Sequence, residues 1–151
     1  MMADRRVLFQ MANRLHYQGG LSRSAALTVA WNLVRTRQPE YTKVRGVSYD
    51  GRQDILKKLS RRGLAGITAR LQREPENPAD PSAVRVELVH VPTGRTCHIG
   101  YLSRERADQV APLLDAGIRV DIIDLEVTGG PGGPHYRNYG LNFAYQVAGV
   151  A

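Results

Sequence analysis

Two kinds of hydrophobic spacing divide this chain, and the change between them falls near residue 40. Before it, Val7, Leu8, Met11, Ala12 and Leu15 recur at helical intervals until Gly19-Gly20 stops the pattern. Ser22 is placed to cap a second helix with the stripe Ala26, Val29, Ala30 and Leu33, Trp31 alongside, and Pro39 ends it. A short αα-hairpin over residues 1–40 cannot bury its own stripe. It must dock on the rest of the chain or on a partner.

From residue 41 the period shortens. Tyr41–Val47 reads as a short strand, and Gly46-Val47-Ser48-Tyr49-Asp50-Gly51 turns the chain into a helix over 52–62. That helix carries Ile55, Leu56 and Leu59 on one face, with Lys57, Lys58, Arg61 and Arg62 clustered on another. Strands follow at 66–71, 84–88 and 96–102, the last two separated by a turn at Pro92-Thr93-Gly94. Ser103 then caps a helix with the stripe Ala107, Val110, Ala111 and Leu114, in which Pro112 predicts a kink or restart and Gly117 a C-cap. In the long strand at 119–128 the alternation slips between Ile122 and Ile123, which predicts a bulge that helps curl a sheet. Gly129-Gly130-Pro131-Gly132-Gly133-Pro134 reads as a mobile loop, and Leu141, Phe143, Tyr145 and Val147 as a closing strand. The order predicts an α+β fold: a small barrel of about six strands over 41–151 with two packed helices, preceded by the αα-hairpin.

Length and composition narrow the partners. A chain of 151 residues with 42% apolar and 23% charged positions suits one ordinary globular core. The net charge of +7 favours polyanions, and between Arg45 and Arg73 eight Lys and Arg face two Asp. A single cysteine, Cys97, forbids an intrachain disulfide, and no apolar run approaches membrane length, so the expectation is a cytoplasmic protein away from membranes.

The most unusual stretch is Arg73-Glu74-Pro75-Glu76-Asn77-Pro78-Ala79-Asp80-Pro81-Ser82-Ala83. Its prolines fall at every third position and restrict Glu74, Asn77 and Asp80 to extended geometry. Polyproline spacing would project those three polar side chains from one side of a stiff loop, which loses little entropy on gripping a ligand. Asn and Asp also favour such turns for purely local reasons, and Asp80 then serves only as a turn cap.

Taken with Gly46-Val47-Ser48-Tyr49, with Ala83-Val84-Arg85-Val86, and with Ile99-Gly100-Tyr101-Leu102 plus Glu105 and Ala107, this loop resembles the HIRAN domain over about residues 42–148. The resemblance implies an OB-type β-barrel that binds the 3′ end of single-stranded DNA, stacking bases on aromatics and holding the terminal hydroxyl with an aspartate. By position it assigns the aspartate to Asp80 and a stacking ring to Tyr49. Three positions depart from the eukaryotic pattern: Ser48 replaces a phosphate-contacting Arg, Ala79 a second stacking Tyr, and Tyr101 a His. The last hairpin offers Tyr136 or Tyr139, with Tyr139 as the candidate. The candidate nucleic-acid-binding residues are therefore Tyr49, Arg73, Asn77, Asp80, Tyr101 and Tyr139, with Lys57, Lys58, Arg61 and Arg62 as the backbone track.

Rival chemistries are thinner. Cys97 lacks a neighbouring base, since His98 points to the opposite face of a strand and His16, His90 and His135 are scattered. One Cys with dispersed His does not make a zinc site, and Asp124 with Glu126 reads as a solvated face rather than a cation site. The glycine loop at 129–133 matches no nucleotide-binding pattern. The expectation is a binding module without catalysis, cofactor or metal, acting on DNA ends in repair, replication or defence. The alternative is an adaptor that docks on a larger nucleoprotein machine.

Overall fold

The computed structural model describes residues 5–36, 38–49, 51–130 and 137–150. Helices α1 (Arg5–Tyr17) and α2 (Arg23–Thr36) come first, and the Ser22 hydroxyl accepts from the Ala25 amide at 3.1 Å to cap α2. Leu8, Met11, Ala12 and Leu15 of α1 are buried with Ala26 and Ala30 of α2 in a cluster that also takes in Leu113, Ala116 and Ile118. The apolar stripe of the N-terminal segment is thus covered within the chain, on residues that flank the second half of the fold.

The remaining elements are β1 (Glu40–Lys43), α3 (Arg52–Arg62), β2 (Ile67–Arg73), β3 (Val84–His90), β4 (Arg95–Tyr101), α4 (Arg104–Asp115), β5 (Ile118–Gly130) and β6 (Arg137–Val150). They form two antiparallel three-stranded sheets, ordered β1-β6-β5 and β2-β3-β4. A main core joins them: Val44, Leu56, Val84, Val86, Ile99, Val110, Leu141 and Phe143 are all essentially inaccessible. Each such side chain contributes about 1.5–3 kcal/mol by leaving water.

Among the described residues the two sheets do not join into the expected small barrel. Among the described residues a single bridge, Arg45 to Tyr101, ties the two sheets by backbone hydrogen bonds of 2.7 and 2.9 Å. Side chains rather than a continuous ladder hold the sheets together elsewhere. The bulge lies slightly beyond its expected place, with the β5–β6 register shifting between Ile123 and Glu126 and Asp124 at φ 51°. Pro112 lies inside α4, which continues to Asp115 instead of restarting. Leu113 rather than Leu114 is the buried residue of its last turn, because the N-terminal helices cover that side. Residues 131–136, with most of the expected Gly/Pro loop, His135 and Tyr136, lie outside the described residues.

Candidate nucleic-acid interface

Two loops and the end of β4 meet in one region. Gly100, within Ile-Gly-Tyr-Leu, makes the meeting possible. A Cβ there would collide with the Arg45 carbonyl oxygen and the Val44 side chain, so only glycine lets the segment after β1 pass over β4. The segment from Gly46 to Tyr49 is then fixed from behind by the first residues of α3. Buried Arg52 donates from Nη1 to the Gly46 carbonyl at 2.6 Å. Gln53 donates to the carbonyls of Val47 and Tyr139 and accepts from the Tyr139 amide at 2.8 Å. With its backbone held this firmly, the loop presents Tyr49 outward, 66% exposed.

The proline loop does not run as one extended ladder. It folds into two tight turns, closed by Asn77 N–H to the Glu74 carbonyl at 3.1 Å and Ala83 N–H to the Asp80 carbonyl at 3.0 Å. Pro75 and Pro81 occupy the second position of these turns, where a fixed φ near −65° is favoured. Hydrogen bonding therefore wins over polyproline geometry, and the polar side chains turn onto the loop itself. Asn77 Oδ1 accepts from the amides of Ala79 and Asp80 at 2.9 and 3.1 Å, while its Nδ2 donates to Glu74 at 2.9 Å. Asp80 Oδ1 accepts from the Ser82 amide at 2.9 Å. Its other oxygen stands 3.9 Å from Arg104 Nε at the start of α4. Arg73 anchors the loop at its base, donating to Asp115 at 2.9 Å and to the Ala83 carbonyl at 3.0 Å.

Glu74 is the hub that joins this loop to β4. Its carboxylate accepts the Tyr101 hydroxyl hydrogen bond at 2.9–3.1 Å and lies 3.6 Å from Arg85. Burial by itself pushes the Glu74 carboxyl up, but the bonds from Asn77 and Tyr101 and the Arg85 charge outweigh it and hold its pKa below the usual value. Burial, reinforced by the Glu74 carboxylate, pushes the Tyr101 hydroxyl up, so it stays a donor. The Tyr101 ring meets His98 edge-on at 4.8 Å. His98 Nδ1 is 3.3 Å from Arg52 Nη2 and its Nε2 is 2.9 Å from the Gly100 carbonyl. A guanidinium only donates and a carbonyl only accepts, so the ring is neutral with its proton on Nε2. Burial lowers its pKa; the Gly100 carbonyl opposes this, and the Arg52 and Arg85 charges add to it.

The sequence candidates thus separate. Asn77 and Tyr101 come together on Glu74, Asp80 closes the second turn of the same loop, and Tyr49 follows the segment that bridges to Tyr101. Lys57, Lys58, Arg61 and Arg62 are all exposed along α3, apart from this cluster. Arg73 and Asn77 make internal hydrogen bonds that shape the loop. Tyr139 is placed elsewhere than a stacking ring requires: it is 8% exposed, belongs to the main core, and packs its ring where a side chain on Gly130 would otherwise sit. Tyr136 lies outside the described residues. Glu74 as a hub, Arg52 and Gln53 as loop anchors, and exposed Arg104 beside Asp80 were not singled out by spacing; only the glycine of Ile-Gly-Tyr-Leu hinted at the close approach.

The family model of the HIRAN domain matches residues 40–124 of the chain. That span holds β1, α3, the proline loop, the Gly100–Tyr101 crossing and α4. No curated protein and no solved structure matches.

Proposed function

The chain belongs to the HIRAN domain family, whose members are DNA-binding modules that recognise 3′ ends of single strands, and we propose that it binds single-stranded DNA at free 3′ ends. The observation that carries this reading is the Arg45–Tyr101 bridge, which brings the segment leading to exposed Tyr49 to the Tyr101 that bonds Glu74 of the proline loop, on a protein of net charge +7. In this reading Tyr49 stacks on a base, which asks only for a π face. The outer oxygen of Asp80 accepts from the terminal hydroxyl, and Tyr101 with Glu74 keeps the loop in place. Arg104, largely exposed and next to Asp80, supplies a cation beside the last phosphate. Lys57, Lys58, Arg61 and Arg62 raise the local potential and draw the strand in.

A carboxylate suits only a terminus. It repels every internal phosphate and gains a charge-assisted hydrogen bond only from a free hydroxyl. Residues 41–151 would form the DNA-binding unit, with the N-terminal segment as an appendage, and the module would deliver or protect ends without catalysis, in repair, replication or defence. A second reading, an adaptor for a larger nucleoprotein machine, draws support from Phe9, Leu27 and Trp31, exposed on α1 and α2. Fluorescence anisotropy with labelled oligonucleotides bearing free or phosphate-blocked 3′ ends tests the first. Tighter binding of the free end is expected; equal binding of both would remove end recognition, and no binding of either would leave the adaptor.

A further inference from the structure

Beside Tyr49 runs a groove of about 560 Å³ between the Lys43–Ser48 segment and the facing parts of β5 and β6. Lys43 and Arg45 line one wall. Val44 between them is buried in the core, so both cations point outward on the same side, about 6–7 Å apart at strand rise. Both are exposed, and neither side chain has a hydrogen-bond or ion-pair partner among the described residues. The opposite wall offers Thr128 and Asn138, and among the described residues no carboxylate lines the groove. Its floor is kept low by glycine: a Cβ on Gly140 would stand 2.7 Å from Thr128 Oγ1, and one on Gly129 would collide with the Asn138 carbonyl.

We propose that this groove holds the sugar–phosphate backbone of the bound strand on the 5′ side of its end, with Lys43 and Arg45 as the phosphate contacts. The spacing of the two cations is comparable with the step between phosphates in a stretched single strand. The groove ends at Ser48, one residue from Tyr49, so a base stacked on that ring leads its backbone directly between these walls. Lys43 also borders the neighbouring hollow, where Asp124 and Glu126 stand with Tyr41 and the surface changes sign. The strand therefore leaves the protein there, and the footprint is short. The inference rests on the single-strand reading given above and adds its route: along β1 rather than along the exposed cations of α3.

The test is anisotropy with an oligothymidylate of about 16 nucleotides bearing a free 3′ hydroxyl, at several salt concentrations. Lys43→Gln with Arg45→Gln is compared with Arg5→Gln with Arg95→Gln, which removes two exposed cations from α1 and the start of β4, and with the unaltered chain. The first variant should lose most of its affinity at low salt, and its salt slope should fall by about 0.7 per lost contact. The Arg5/Arg95 variant should keep both. If the unaltered chain binds and the Lys43/Arg45 variant keeps both affinity and slope, the route is wrong while end binding stands. If the unaltered chain binds no strand, both readings fall. Inorganic phosphate at matched ionic strength should compete poorly; competition as strong as the oligonucleotide's would mark an isolated anion site and overturn the proposal.

Discussion

Removing one charge from Asp80 separates recognition of an end from maintenance of a loop. In Asp80→Asn the amide oxygen can still accept from the Ser82 amide, now 2.9 Å from Oδ1, so the turn keeps its cap. What is lost is the pairing of Oδ2 with Arg104 at 3.9 Å. The Arg104 side chain is 73% exposed, so that pair is screened and contributes close to nothing, within the 0–1 kcal/mol range of surface pairs at roughly its lower end. Folding stability should therefore change by less than about 0.5 kcal/mol. Binding should change more. A hydroxyl bonded to a carboxylate contributes about 1.5–3 kcal/mol against about 0.5–1.5 for a neutral acceptor, and the new amide can also donate to a phosphate that the carboxylate repelled. The ratio of dissociation constants for 3′-phosphate and 3′-hydroxyl oligonucleotides should shrink by about 1–2 kcal/mol, a factor of about 5–30. Urea unfolding alongside confirms the intact fold. An unchanged ratio in a folded variant would refute the argument and leave Asp80 as a turn cap alone.

Other positions carry sharper or simpler expectations. Tyr49→Ala should cost about 1–3 kcal/mol of binding and Tyr49→Phe little, since the ring carries the contact; a Phe variant as damaged as the Ala variant would contradict stacking. Gly100→Ala drives a methyl into Arg45 and Val44, and should cost about 1–3 kcal/mol of stability and weaken binding by displacing the Tyr49 loop. Stability within about 0.5 kcal/mol of the unaltered chain would show that the crossing yields easily. His98 has a depressed pKa in the fold, so its neutral form contributes stability above the unfolded value of about 6.5, and that contribution is lost as pH falls towards the folded value. Urea titrations at about pH 7.5 and about pH 5.5, either side of that value, should show a loss that His98→Gln lacks; parallel behaviour would remove the claim.

Element by element, the sequence was most legible where one local signal dominated. The helix over 52–62 matches its reading residue for residue, because Gly51 and Gly63 bracket an amphipathic run. Ser22 and Ser103 cap as expected. The proline loop shows where such reading stops. Proline restricts Glu74, Asn77 and Asp80 equally in extended and turn geometries, and the decision is made by backbone bonds closing on Ala83 and Asn77. The hub role of Glu74 was illegible for a related reason. Its partners Tyr101 and Arg85 lie on other strands, and only the pairing of β3 with β4 brings them near. Tyr139 was misread because the Gly-rich turn obscures register: the cavity that receives its ring is made by Gly130, across the ladder. Closure of the barrel likewise depends on contacts between sheets, for which alternation within a strand carries no information.

The distribution of charge ties these pieces into one polarity. On a protein of net charge +7, the loop at the centre of the interface carries Glu74, Glu76 and Asp80, an arrangement that should weaken binding of any continuous polyanion. Glu74 is bonded internally by Tyr101 and Asn77 and paired with Arg85, which leaves Glu76 and Asp80, and of these two Asp80 has an oxygen facing Arg104. The cations Lys43 and Arg45, without a side-chain partner among the described residues, line the groove that precedes Tyr49 in the chain. A strand threaded with an internal phosphate at Asp80 would lose there what it gains at the cations. A strand whose uncharged terminal hydroxyl meets Asp80 gains at both. On the proposed reading the same two sites would set direction as well as affinity: the end would sit against the proline loop, and the phosphates would run from Tyr49 toward β1.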